Sequence, residues 1–210
     1  VKAARDPRAL LASASDALAA APVLPHAPRW CVAELAGRLS ELAAASSGAA
    51  FSAALALVVD AQRCGETAAW VGLRTRTFFP PDARAAGVDL AALPVVRVAR
   101  ERELAFAADV LARSGAFGLV VLELGAARPA LGVLARLASL ARAHAVALVL
   151  LTEKPPEEAS LSSVVSLRAD SARVRQAGGD FLHELCVARD RVRAQGWRQI
   201  ELRHGPPGLP

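Results

Sequence analysis

Five segments of this chain are close to continuously apolar: Leu39–Ala43, Thr67–Leu73, Pro94–Ala99, Phe117–Leu124 and Ala145–Thr152. A strand with one wet face alternates apolar and polar residues, so near-continuous runs of this length predict strands covered on both faces. Helical patterns separate them at Ala50–Cys64, Asp82–Ala86, Glu101–Ser114 and Pro129–His144. Alternation of such strands with helices predicts an α/β fold with a mostly parallel sheet, flanked by helices and joined by right-handed crossovers. Cys64-Gly65 and Ser114-Gly115 place a glycine just past two of the helix ends. The longest runs fall far short of the roughly 20 residues that span a bilayer, so no membrane partner is expected.

The pattern changes at both ends. Over Pro7–Ala21, Leu10, Leu11, Ala14 and Leu18 recur at helical spacing, and Pro22–Pro28 contains three prolines, which favour an extended tether. An amphipathic helix on such a tether has to pack on its own domain or on a neighbouring chain. Ser163–Asp170, Phe181–Asp190 and Trp197–Arg203 read as strands joined by turns at Gly178-Gly179 and Gln195-Gly196, so the sheet is expected to end in antiparallel strands. The organisation is then an N-terminal helix and tether over 1–28, one core domain over 29–204, and a frayed tail over 205–210.

Composition narrows the chemistry. Cys31, Cys64 and Cys186 show no CxxC spacing and read as buried thiols of a reducing, cytoplasmic compartment. His26, His144, His183 and His204 show no ligand spacing, so neither a metal nor histidine catalysis is expected. Lys2, Arg5, Asp6 and Arg8 precede an amphipathic pattern rather than the apolar core of a signal peptide. A net charge of +5, almost wholly from Arg, suits nucleic acid or an acidic protein as partner.

The stretch Glu41–Ser52, ELAAASSGAAFS, lies between the first strand and its helix, where an α/β nucleotide-binding domain carries its phosphate loop. Such a loop needs glycine amides around the phosphates, a Lys for the terminal phosphate and a Ser/Thr hydroxyl for Mg²⁺. Ser46, Ser47 and Gly48 are followed here by Ala49, Ala50 and Phe51, which supply neither cation nor hydroxyl. The scaffold of a nucleotide site is expected without its chemistry, and no cofactor with it.

Further blocks follow in order: GETAAWVGL at 65–73, AAGVDLAALPVVRV at 85–98, LARSGAFGLVVLELG at 111–125, then VVSLRADSARVR and ELCVARDRVRAQGWRQIELRHGPPGL. Together with ELAAASSGAAFS, they resemble the RecA-like core over most of the chain. The resemblance implies that Glu123 stands at the metal-site acidic position of the Walker-B strand. It puts Thr75, flanked by Arg74 and Arg76, where the family has its catalytic glutamate. Thr152 or Glu153 takes the nucleotide-sensing position, and Pro155–Ser162 replaces a longer DNA-binding loop. Arg189 and Arg191 fall on positions used for basic residues at the protomer interface, and the N-terminal helix corresponds to the arm that docks on the next subunit in filaments. A RecA-like chain with a decayed ATP site resembles the ImuA family, accessory proteins of the inducible mutasome. This implies a non-enzymatic part in SOS mutagenesis and translesion DNA synthesis, through ImuB-type pseudo-polymerase and RecA. The alternatives are a SulA-like division inhibitor, or a RecA paralogue with residual ATP binding that contacts single-stranded DNA.

Contact surfaces are expected at Leu10, Leu11 and Leu18, and at Arg189, Arg191 and Arg193, whose alternation along a strand would turn all three to one face. Trp30, Trp70 and Trp197 adjoin apolar runs and read as packing residues. Phe78-Phe79-Pro80-Pro81 is either an exposed docking patch or a plug in the vacated nucleotide site.

Overall fold

The computed structural model describes residues 28–45, 47–75, 78–175, 180–193 and 196–203. The expected N-terminal helix with Leu10, Leu11 and Leu18, its tether up to residue 27, and the tail 205–210 lie outside the described residues. In chain order the elements are α1 (Val32–Leu35), β1 (Leu39–Ala44), α2 (Ser47–Arg63), β2 (Ala68–Leu73), α3 (Pro80–Ala85), a 3₁₀ turn (Leu90–Ala92), β3 (Val95–Val98), α4 (Glu101–Arg113), β4 (Leu119–Gly125), α5 (Leu131–His144), β5 (Ala147–Glu153), β6 (Leu167–Arg175), β7 (Phe181–Asp190) and β8 (Arg198–Arg203).

All eight strands form one sheet in the order β3-β2-β4-β5-β1-β6-β7-β8. Pairing is parallel from β3 through β6, and β6–β7 and β7–β8 are antiparallel, as the sequence pattern predicts. The apolar runs are explained by coverage on both sides. In β4, Leu119 and Val121 face α2 with Trp70 and Val149, while Val120 and Leu122 face α4 and α5 with Val71 and Leu148. Within α2, Ala50, Ala53, Ala54, Leu57, Val58 and Ala61 are buried at helical spacing, and the small residues let the helix lie close to the sheet. It ends at Gly65, φ +77°, where the Glu66 amide donates to the Ala61 carbonyl in a Schellman closure.

Among the boundaries that depart from expectation, three are informative. α2 starts at Ser47 rather than Ala50. Ala145 does not open β5; at φ +53° it caps α5, its own amide and that of Val146 both donating to Ala141, and β5 begins at Ala147. β6 runs over Leu167–Arg175 instead of Ser163–Asp170. The guanidinium of Arg38 donates to the hydroxyl and carbonyl of Ser166, fixing the chain just ahead of the strand, and pairing with β7 carries β6 on to Arg175. The cysteines are free, but Cys64 is exposed and Cys31 and Cys186 are half-buried, so the expectation of three buried thiols fails.

Candidate functional site

In open α/β sheets, ligands sit beyond the carboxyl ends of the strands, where neighbouring connections leave to opposite faces. Here β1 leads into α2 on one face, whereas its neighbour β5 leads into a segment whose Leu161, Val164 and Val165 pack on the other. The connection from β1 to α2 consists of Ala45 and Ser46 alone. Of the expected phosphate-loop residues, Ser47, Gly48, Ala49 and Ala50 are the first turn of α2, and Ser46 lies outside the described residues. Ala49 and Ala50 are each 3% exposed and belong to the core. Helix therefore occupies the positions from Ser47 onward at which an open phosphate-binding loop was expected.

Between α2 and β2, three rings pack together. Phe51 of α2 lies 5.1 Å from Trp70 of β2, and Phe78 lies 5.2 Å from Trp70 and 6.1 Å from Phe51, all tilted. Such geometry suits aromatic quadrupoles. The open question over Phe78-Phe79 is thus divided between the two residues: Phe78 is 5% exposed within the cluster, and Phe79 is 50% exposed. Glu123 is buried, and its Oε1 accepts from Trp70 Nε1 at 2.6 Å. Gly72 makes room for that carboxylate, since a Cβ there would stand 2.8 Å from Glu123 Oε2. Thr75 is exposed just past β2, and brings no acid to the site. His183 Nε2 lies 3.1 Å from the Ala49 carbonyl and 2.8 Å from Ser171 Oγ. The histidine thereby ties the first turn of α2 to β6 and β7.

The other face of β1 holds a polar centre that the sequence reading missed. Glu41 is fully buried in mid-strand and pairs at 2.5 Å with Lys154 Nζ, which also donates to the Ala159 carbonyl at 2.6 Å. Thr152 Oγ1, Ser160 Oγ and the Leu161 amide donate to the same carboxylate at 3.1, 2.7 and 3.0 Å. Burial pushes the Glu41 carboxyl up, but Lys154, Ser160 and Leu161 together outweigh it and hold the group below its usual range. Arg168, beside Glu41 in register, reaches the carbonyls of Pro155, Pro156 and Glu158 and pairs with Asp170 at 2.9 Å. The expected short segment after β5 is consequently a strap, pinned to β1 and β6 by two buried cations. One signal was available: Lys154 is one of two lysines in an Arg-rich chain, close behind an apolar strand.

The three arginines expected on one strand face are separated. β7 stops at Asp190, whose Oδ1 accepts from the amides of Val192 and Arg193 at 2.9 and 3.1 Å and from Arg38 at 2.6 Å. An Asp that bonds the backbone two and three residues on turns the chain instead of extending it. Arg189 reaches the Ser163 carbonyl, Arg191 is exposed in the turn, and Arg193 pairs with Glu34 at 2.7 Å. Burial raises the Asp190 carboxyl, and Arg38 with the two amides reverses this and leaves it below the usual range. Trp30 and Trp70 are buried and Trp197 packs half-buried against the core, as read from sequence.

Among the described residues no group of His, Cys, Asp or Glu is arranged to hold a metal ion, and no helix is long and apolar enough to cross a membrane. No protein-family model matches the chain, and no curated protein matches it.

Proposed function

We propose that this chain is a RecA-like accessory protein of the ImuA type, acting in damage-induced mutagenesis and translesion DNA synthesis without catalysing a reaction. Its partners in this reading are an ImuB-type pseudo-polymerase and RecA in the cytoplasm, and DNA contact is secondary. No cofactor or metal takes part, and the N-terminal helix is the candidate docking arm, on its own domain or on a neighbouring chain. The observation that carries the reading is the crevice at the end of β1. A short connection and a buried Ala49-Ala50 turn follow β1, where a phosphate loop would need open backbone amides, and Phe51, Trp70 and Phe78 pack together between α2 and β2. A parallel sheet that ends in antiparallel β7 and β8 agrees with the order of the blocks that carry the resemblance. Function is left to the outer surfaces, including exposed Phe79.

Two measurements test this. Purified chain should retain the ImuB-type protein and RecA of its own organism at micromolar concentration, and failure to retain either would overturn the partner assignment. Titration with a labelled ATP analogue and Mg²⁺ should give no saturable binding up to millimolar nucleotide; saturation would favour the ATP-switched alternative.

A further inference from the structure

Coverage of the strap-side face of the sheet stops part-way along the antiparallel strands. Beyond Asp170, register places Val174 of β6, Leu182 of β7 and Leu202 of β8 in one cross-strand row, with Ile200 in the next row beside Glu184. Val174, Ile200 and Leu202 are 53%, 57% and 58% exposed. An apolar row of this kind across three strands is what a covering element would bury. The opposite face is covered: Gln199 and Glu201 turn toward α2 and line a recess with Trp30, Ala53 and His183.

Where the chain enters the described structure indicates the occupant. The Trp30 amide donates to Gln199 Oε1 at 2.9 Å and its indole to the Ala53 carbonyl at 3.2 Å, so the preceding segment is delivered beside β8, the edge strand. We propose that residues 7–21 of the same chain cover the exposed face, with Leu10, Leu11 and Leu18 packed on Val174, Leu182, Ile200 and Leu202. The Pro-rich stretch 22–28 spans about 22 Å at about 3.1 Å per residue when extended. Rounding one edge strand and crossing two strand spacings of about 4.8 Å requires less than that. A tethered segment also sees its target at an effective concentration of about millimolar, which favours it over a second copy in micromolar solution. The proposal rests on the fold alone, independently of the assigned partners.

The test compares the full chain with its Leu11→Asp/Leu18→Asp variant, which leaves every described residue intact. Amide hydrogen exchange is followed over 198–203, and thiol labelling of half-buried Cys186, on the same sheet face, is referenced to exposed Cys64. Loss of docking should speed both by about tenfold or more, corresponding to about 1.4 kcal/mol of local protection, while exchange in α2 and β4 stays unchanged. Equal rates in the two proteins would overturn the proposal. Protection of 198–203 in the full chain that fades on dilution at constant buffer would overturn it in favour of a second copy.

Discussion

Replacing Lys154 by Met tests whether the strap is held by charge. The Glu41 and Lys154 side chains are 0% and 1% exposed, and Met keeps the length of the side chain while removing its charge. Glu41 would retain Thr152, Ser160 and Leu161 as donors, but no cation would balance its buried charge, and the Ala159 carbonyl would lose its partner. Removing one member of a buried pair costs about 3–5 kcal/mol. For a chain of this size that lowers Tm by about 6–20 °C. The Glu41→Gln/Lys154→Met double variant removes both charges and should recover much of the loss. The pH dependence gives an independent sign. In the parent the folded-state pKa of Glu41 lies below its ordinary 4.5, so the pair's contribution is complete above that value and lost as pH falls through the lower folded value. In Lys154→Met the uncompensated carboxyl takes up its proton more readily, so the gap between parent and variant should narrow on acidification. Urea unfolding at pH 7 and near pH 4 measures both effects. A loss below about 1 kcal/mol at pH 7, the size of a surface pair, or a gap that widens in acid, would refute the reasoning.

Arg38→Met should cost about 3–5 kcal/mol by the same logic, because Asp190 would lose its buried cation, and urea unfolding should register it. With Glu41 and Asp190 both held below their ordinary values, the parent should keep full stability from them at neutral pH and lose it progressively below about pH 4.5, as followed by circular dichroism. Gly72→Ala should destabilise by about 1–3 kcal/mol, since its Cβ would press on Glu123 Oε2, and thermal unfolding should show it. Grafting phosphate-loop side chains by Ala49→Lys/Ala50→Thr should lower Tm without creating saturable binding of a labelled ATP analogue. Binding gained with Tm unchanged would show that only side chains keep nucleotide from this position.

The sheet was legible because its evidence is local. A strand covered on both faces must be apolar throughout, and β2, β4 and β5 are found within a residue or two of the predicted positions. What could not be read depended on partners distant in sequence. Ser163–Ser166 has strand-like composition, but Arg38, more than 120 residues earlier, holds Ser166 and sets where β6 begins. Arg189, Arg191 and Arg193 alternate as a strand would, until the Asp190 side chain bonds the backbone ahead of it. The absence of a Lys and a hydroxyl at Ala49 and Ala50 is readable in the sequence. That helix begins as early as Ser47 goes with Phe51 packing against Trp70 and His183 reaching the Ala49 carbonyl, and neither contact has a sequence-local signal.

The two faces of β1 bear on whether an open loop could form after it. On one face Leu42 and Ala44 pack into the core under α2, whose first turn is tied by His183 to β6 and β7. On the other, Glu41 is tied through Lys154 and Ser160 to the strap, and Arg168, its neighbour in register, fixes the strap again. Unwinding the start of α2 to rebuild a loop would expose Ala49 and Ala50 and give up the His183 contact, without freeing the strap. Opening the strap would strand a buried carboxylate without admitting a ligand to the α2 side. Because the two devices are on opposite faces, neither movement relieves the cost of the other. Small side-chain changes at this edge should therefore alter stability before they alter ligand binding, and variation in partner binding is expected to map instead to the exposed positions, Phe79 and Arg191 among them.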